Sequence, residues 1–435
     1  MPSFAIIAVV LILARVLTEI WLNRLNQQHV RGRRTEVPAV FRGIVDEATY
    51  RRSVDYTLTK GRFGDTVNLV DAVVLVTVLF SGVLPWVFGK FTRSLGTSTS
   101  AMAGFVFITG IVLSILGLPF AWYAQFKIEQ RFGFNTTNLK TWVLDRIKAL
   151  LLAFLFGYPL LLLTLKLIEW TGPTWWVWAA ALVIGVQLVL MLIGPVFIMP
   201  LFNRFTPLPQ GELRERLLAL ARRTDFPARR IEVMDGSKRS RHSNAFFTGL
   251  GRFRKIVLFD TLVAQLTDLE LESVLAHEIG HYKKRHVLKL LGISVAGVVV
   301  AFAVVAWLAR QPSFYHAFGF AHSGTYSAAN VVPAILWFAI LAETISFWFL
   351  PLLHMCSRRF EYQADAFARA TMEDSQSLIH ALRKLSEKNL SNFTPHPLYS
   401  AFYYSHPTLL ERERALESAA APTLSKTQTH SMSVE

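Results

Sequence analysis

One short segment of the chain, His277–His281 (HEIGH), has the spacing of a metal-binding helix. Residues four apart lie on one face of an α-helix, about one turn apart, so both imidazoles can reach the same zinc ion. Glu278 between them then lies next to the metal, where it can serve as a general base. In a chain with 12 histidines and 30 acidic residues among 435, the pattern arises by chance in about one or two per cent of cases, so it is suggestive by itself.

A second segment, Glu361–Asp365 (EYQAD), offers what a catalytic zinc site still lacks. Such a site has three protein ligands and one open position, and Glu361 is the candidate third ligand beside His277 and His281. Asp365, one helical turn later, is expected to orient a ligand histidine without touching the metal. Taken alone, the two carboxylates are more simply a solvated helix face. The HExxH segment in the same chain favours the ligand interpretation.

The elements that must carry these residues are mostly membrane helices. Charged residues make up 17% of the chain and hydrophobic ones 52%, whereas a soluble domain is usually about one quarter charged. A transmembrane helix needs about 20 apolar residues. Seven stretches meet this requirement, and we place them at 4–22, 66–89, 101–124, 147–170, 175–199, 287–309 and 330–354. The first lacks a basic start and a small-residue cleavage site, which indicates a retained helix rather than a signal peptide.

Basic residues fall in alternate loops. The loops after the first and third spans, the segment 200–286 and the tail after 355 are basic, whereas the other loops carry few charges. The positive-inside rule therefore predicts an N-terminus outside and a C-terminus in the cytoplasm. The formal net charge of +15 is then explained by loops near anionic lipid, and we expect no nucleic-acid partner.

The sequence divides into five regions. Residues 1–199 carry the first five spans, 200–286 form the first half of a catalytic domain with the HExxH helix, 287–354 carry the last two spans, 355–419 form the second half, and 420–435 are predicted to be disordered. Within 200–286 we predict a helix at Glu212–Arg223, strands at Arg230–Met234 and Lys255–Phe259, an edge strand at Ser243–Gly249, and a capping box of Thr267 and Glu270.

Several charged residues lie inside predicted spans, where each is costly unless it faces water or a partner. They are Arg15, Glu19, Asp71, Lys166, Glu169 and Glu343. Together they indicate a helical bundle with a wet interior.

The sequence as a whole resembles the type I CAAX prenyl endopeptidases, seven-span zinc proteases that cut prenylated C-terminal peptides. The resemblance runs from the first span to about Leu416. It is carried by the blocks Ser243–Gly249 (SNAFFTG), Ile256–Leu262 (IVLFDTL), HEIGH, Phe360–Ala366 (FEYQADA) and Ser405–Arg412 (SHPTLLER). It implies an all-α polytopic membrane protein whose seven transmembrane helices form a hollow barrel. A small α+β zinc-metalloprotease domain would lie on the cytoplasmic side, facing a water-filled chamber.

The resemblance also implies roles for three residues outside the zinc site. Asn244, His406 and Arg412 match positions near the scissile carbonyl and the substrate backbone, where a hydrogen-bond donor stabilises the developing oxyanion. His396 precedes a proline as His406 does but lacks the Leu-Leu-Glu-Arg that follows the latter. His242 and His286 flank the motifs and are interpreted as surface residues.

The expected function is zinc endopeptidase activity at the cytoplasmic membrane face, with one catalytic Zn²⁺ and a peptide or protein substrate, prenylated or otherwise membrane-anchored. A protease of the same chemistry that degrades misfolded membrane proteins is the alternative. A channel or transporter with an accidental HExxH is a remote third candidate. The expected location is a bacterial inner membrane, or the endoplasmic reticulum membrane in a eukaryote.

Overall fold

The computed structural model of the chain describes residues 3–227, 230–248 and 255–418. The first half contains α1 (Ser3–Arg31), α2 (Glu47–Phe80), α3 (Val83–Leu95), α4 (Thr99–Leu116), α5 (Leu118–Tyr123), α6 (Leu139–Leu152), α7 (Tyr158–Thr171), α8 (Trp175–Ile193) and α9 (Met199–Phe202). The second half contains α10 (Glu212–Arg223), α11 (Asp260–Gln265), α12 (Asp268–Lys283), α13 (His286–Leu308), α14 (Pro312–Ala317), α15 (Ala328–Ser346), α16 (Leu350–Met372), α17 (Gln376–Lys388), α18 (Pro397–Tyr403) and α19 (Leu409–Ser418). The predictions for Gly249 and for the tail 420–435 lie outside the described residues.

Within the described residues, six helical runs are long and apolar enough to cross a membrane. Five of them each overlap one predicted span. The sixth, Leu139–Phe202, has 64 residues and covers two predicted spans. A 3₁₀ turn at Gly172–Thr174 divides it, and α7 packs against α8, so this run folds back on itself.

The predicted span 66–89 is wrong as one continuous helix. The chain turns at Ser81 and Gly82, where Gly82 has φ +75°, and α3 begins one residue later. Glycine adopts this left-handed conformation without the steric cost that a Cβ brings. Hydropathy does not detect such a turn, because the residues on both sides are equally apolar.

Five of the six charged side chains predicted to lie inside spans form ion pairs. The Arg15 guanidinium on α1 lies 2.7 Å from the Glu343 carboxylate on α15 and 3.0 Å from Glu19 on its own helix. Lys166 pairs with Glu169 at 3.2 Å. Arg15, Glu19 and Glu343 line an interior cavity of about 570 Å³ together with several asparagines and tyrosines. The wall of this cavity is therefore largely polar, and the wet interior stays a prediction.

A four-stranded sheet packs beside the helices that carry the HExxH segment. Its order is β1 (Phe205–Pro207), β2 (Arg230–Met234), β4 (Lys255–Phe259) and β3 (Ala245–Thr248). β2 and β4 run parallel, whereas β3 pairs antiparallel with β4 and forms the edge. The buried Ile256 and Leu258 of β4 join a core with Leu275 and Ile279 of α12, which fixes α12 against the sheet.

Candidate metal centre

The helix α12 begins at the predicted capping box. The Thr267 side chain accepts a hydrogen bond from the Glu270 backbone N–H, and the Glu270 carboxylate accepts one from the Thr267 N–H at 2.8 Å. Both groups thereby satisfy N–H donors that a helix start leaves unpaired. His277 lies ten residues after Thr267. The capping box fixes where the helix begins, and the start of the helix determines the face on which both histidines lie.

Close approach of two helices brings the third ligand to the histidines. Gly280, inside the HEIGH segment, faces Ala364 on α16 so closely that a Cβ on Gly280 would lie 2.9 Å from the Ala364 Cα. Real Cβ atoms do not come this close to backbone. Only glycine therefore permits this spacing, and Glu361, one turn before Asp365 on α16, reaches the HExxH face because of it.

The three predicted ligands converge. The Nε2 atoms of His277 and His281 lie 3.1 Å apart. A Glu361 oxygen lies 3.3 Å from His281 Nε2, and the other lies 3.5 Å from His277 Nε2. All three candidate ligand atoms fall within 4.8 Å of one another. Glu361 is 5% exposed and its Oε2 atom has no hydrogen-bond partner.

These residues fit a metal ion. Two ligands at about 2.0–2.1 Å from a tetrahedral ion lie about 3.3 Å apart, close to the 3.1–3.5 Å separations in the structure. Three lone-pair donors this close repel one another without a cation between them, and a buried carboxylate oxygen without a hydrogen bond is costly. Two imidazoles and one carboxylate match the ligand preference of zinc.

Asp365 lies behind His277, as predicted. The Nδ1–H of His277 donates to Asp365 Oδ1 at 2.7 Å, which leaves Nε2 free to face the metal. Arg412 from α19 donates to both Asp365 oxygens, at 2.5 and 2.8 Å. The Arg412 guanidinium is buried, with Nη1 3.6 Å from Glu361. Its main contact is thus Asp365, although it also lines the cleft.

The surroundings of the centre raise the pKa of both His277 and Glu278, for different reasons. Burial lowers the pKa of His277, but its hydrogen bond to Asp365 and the nearby Glu361 carboxylate outweigh this effect and raise the pKa to about 9. Metal binding at His277 Nε2 is therefore in competition with a proton. Burial raises the pKa of Glu278, while the imidazoles of His277 and His281 act in the opposite direction. A raised pKa suits a carboxylate that accepts and returns a proton during one reaction.

A cleft of about 600 Å³ opens onto this centre. It is lined by Asn244 at the start of β3, by Glu278 and by His406. The His406 side chain is 65% exposed, with Nε2 3.4 Å from Glu361. Thr408 and Glu411 form a second capping box that starts α19 just after His406 and fixes the preceding loop.

The structure brings all eight predicted site residues together and adds two that the sequence did not indicate. Gly280 is one of them. The other is His286, whose interpretation as a surface residue is wrong: it is 1% exposed and its Nδ1 lies 3.0 Å from His281 Nδ1. His242 is also half-buried, stacked on Phe134 at 4.0 Å. His396 caps α18 by accepting from the Leu398 N–H, away from the metal centre.

Comparison with known proteins agrees with this geometry. One family model, described as CAAX prenyl protease N-terminal, five membrane helices, matches residues 26–204. A second, described as Peptidase family M48, matches residues 207–420. The boundary between them falls where the membrane helices of the first half give way to the sheet.

Relatives match over nearly the whole chain. CAAX prenyl protease 1 of Saccharomyces cerevisiae is 37% identical over 90% of this chain and 90% of that protein. The CAAX prenyl protease 1 homolog of Homo sapiens is 31% identical over 90% and 91%. A crystal structure of S. mikatae Ste24p superposes with a TM-score of 0.88 at 33% identity, covering 96% of this chain and all of that one. A metal-ligand triad in a cleft beside apolar helices, together with these matches, places the chain in peptidase family M48 among the CAAX prenyl protease 1 proteins: it is a multi-pass membrane metalloendopeptidase.

Proposed function

We propose that this protein uses one zinc ion to hydrolyse peptide bonds near the C-terminus of prenylated, CAAX-type substrates at the cytoplasmic membrane face. The observation that carries the proposal is the convergence of His277, His281 and Glu361 beside Glu278, in a cleft that continues onto a candidate membrane helix. Relatives named CAAX prenyl proteases support the substrate class.

The chemistry at the centre divides between the bound ion and the chain. His277, His281 and Glu361 would hold the zinc ion, which when bound would supply Lewis acidity at the scissile carbonyl and at the attacking water. Glu278 accepts a proton from the attacking water and delivers it to the leaving amine. Asp365, held by Arg412, keeps His277 in the tautomer whose Nε2 faces the metal.

Substrate positioning rests on β3 and on the loop before α19. The outer edge of β3 is unpaired within the described sheet, so an extended peptide can add to it as a further strand. Asn244 lies at the start of this edge and His406 lines the same cleft. We assign to both the donation of hydrogen bonds to the substrate backbone and to the developing oxyanion. Arg412 contributes to the same wall of the cleft.

The cleft also offers an apolar wall for a lipid. Val287 and Leu290, which line it, belong to α13, and α13 is long and apolar enough to cross a membrane. An apolar chain attached to the substrate can therefore lie along the start of this helix while the peptide reaches the metal.

For the whole molecule we propose seven spans that surround a hollow chamber, with the small α+β domain at its cytoplasmic end. The fold-back between α7 and α8 supports two spans within the 64-residue run. The distribution of basic loops supports an N-terminus outside and a cytoplasmic C-terminus. The proposed membrane is a bacterial inner membrane, with the endoplasmic reticulum membrane as the eukaryotic equivalent. The C-terminus would face the cytoplasm in either membrane.

A pair of peptides tests the substrate class. Purified protein is given a farnesylated CAAX peptide and its unprenylated twin, and the Glu278→Gln variant serves as the blank. We expect faster cleavage of the farnesylated peptide. Equal cleavage of both would reject the prenyl preference, keep the peptidase activity and favour a protease that degrades misfolded membrane proteins.

A further inference from the structure

His286 is placed against the metal centre by an unusual turn. The helix α12 ends at Lys283, and Arg285 adopts the left-handed conformation with φ +56° and ψ +35°. This conformation is rare for residues other than glycine. It separates the two helices, and His286, the first residue of α13, makes contact with His281 in the last turn of α12.

The His286 side chain is held on three sides. Its Nδ1 lies 3.0 Å from His281 Nδ1, its Nε2 lies 2.9 Å from Gln363 Oε1, and its ring stacks on Phe360 at 4.2 Å with an interplanar angle of 12°. It is 1% exposed. A buried imidazole with both nitrogens engaged has a fixed orientation and a fixed tautomer.

The orientation of the Gln363 amide assigns the proton of His286 to one nitrogen. The Gln363 oxygen accepts, so His286 Nε2 must be the donor and its Nδ1 the acceptor. His281 then donates through Nδ1–H, and its Nε2 keeps a lone pair that faces His277 Nε2 and Glu361. The reverse orientation of the Gln363 amide would place a proton on His281 Nε2 and prevent that atom from binding a metal.

We propose that His286 is the positioning residue of the second metal ligand, backed by Gln363. It does for His281 what Asp365 does for His277, with a neutral imidazole in place of a carboxylate as the acceptor. Loss of such an outer partner costs about 10- to 100-fold in metal affinity or activity. This inference rests on the proposed metal function of His277, His281 and Glu361.

Two substitutions distinguish the effect of the hydrogen-bond acceptor at position 286 from the effect of the stacked ring. His286→Phe keeps the stacking on Phe360 but has no acceptor. His286→Asn loses the stacking but offers an amide oxygen near the position of Nδ1. Full-length protein is purified in detergent, and zinc affinity is measured by competition with a chelator. We expect about a 10- to 100-fold loss for His286→Phe and clear recovery for His286→Asn.

Further variants keep the test decisive if His286→Phe folds poorly. Gln363→Leu leaves His286 in place but frees its tautomer, and should weaken zinc binding less than His286→Phe does. The matched control is His242→Phe. His242 also stacks on a phenylalanine, and its two ring nitrogens contact Asn389 and Glu129 rather than a metal ligand. Its zinc affinity should equal that of the unaltered protein.

The readouts also distinguish positioning from general stability. The melting temperature is recorded with and without zinc, because a positioning residue changes mainly the increment that zinc adds. The d–d spectrum of the cobalt-substituted protein reports ligand orientation directly and should shift in His286→Phe. Unchanged zinc affinity in His286→Phe, or an equal loss in His286→Asn, overturns the inference. Absence of zinc binding in the unaltered protein would instead reject the metal site itself.

Discussion

At the scale of single residues, Glu361 and Asp365 occupy successive turns of one helix but have different surroundings, and we propose different roles for them. The Glu361 oxygen without a hydrogen-bond partner faces His277 and its other oxygen faces His281, whereas both oxygens of Asp365 are taken by His277 and Arg412. The EYQAD segment predicts these roles only in combination with the HExxH segment. The bidentate contact of Arg412 with Asp365 was not predictable, because it joins residues 47 positions apart.

Substitution of the two carboxylates should therefore have unequal effects. Glu361→Ala removes a ligand and should abolish stoichiometric zinc binding, whereas Asp365→Asn should lower affinity or activity about 10- to 100-fold. Metal analysis of purified variants measures both effects. Undiminished zinc in Glu361→Ala would mean that the third ligand lies elsewhere.

His406 is expected to act in the reaction without binding the metal. His406→Ala should retain zinc and its melting temperature, while kcat falls on the order of 10²–10³, as for the loss of one oxyanion donor. His396→Ala is the control, because His396 also precedes a proline but only caps α18. Similar turnover in the two variants would remove His406 from the mechanism, and a collapse in melting temperature would make it a structural loop residue.

At the scale of elements, the contact between α12 and α16 decides whether the ligands meet. Gly280→Ala would place a Cβ 2.9 Å from backbone that cannot rotate away, so the two helices must separate by a few tenths of an ångström. Overpacking of this kind typically costs about 1–3 kcal/mol. We expect a lower melting temperature and weaker zinc binding, measured on the same preparation.

Gly292→Ala is the matched control for this substitution. Gly292 also lies within a helix, but nothing lies within 4 Å of the Cβ it would gain. Replacing a helical glycine by alanine in open space is neutral or stabilises by about 0.5–1 kcal/mol. If Gly280→Ala were equally harmless, close helix approach would not be what holds the centre together.

Local patterns predicted some elements well and others poorly. The bounds of α10, β2 and β4 agree with those predicted, because turn residues and glycines delimit short periodic segments. Helices near the membrane extend well beyond the predicted spans, as α1 does to Arg31. The apolar stretch that hydropathy detects is shorter than the helix, because backbone hydrogen bonding continues through the polar residues that follow it. The burial of His286 depends on the left-handed Arg285 and on Gln363, which is 77 residues away, so no local pattern indicates it.

At the scale of the whole molecule, the proposed orientation rests on the basic loops. The sequons at Asn135, Asn389 and Asn392 lie on the side assigned to the cytoplasm and should stay unmodified in a glycosylating host. Ser323→Asn creates a sequon with Thr325 in the opposite loop and should gain a glycan. A shift in electrophoretic mobility after glycosidase treatment detects a glycan in either case. A glycan on a natural sequon, or none on Ser323→Asn, would contradict the orientation.

The central claim is that one metal ion and one carboxylate together perform peptide hydrolysis in this molecule. The most direct measurement compares zinc content and turnover of the unaltered protein with those of Glu278→Gln, which keeps the side chain's shape but cannot accept the proton. We expect about one zinc ion per chain in both proteins and a turnover at least about 10²-fold lower in the variant. Turnover above about a tenth of the unaltered rate, or loss of zinc from the variant, would contradict this assignment.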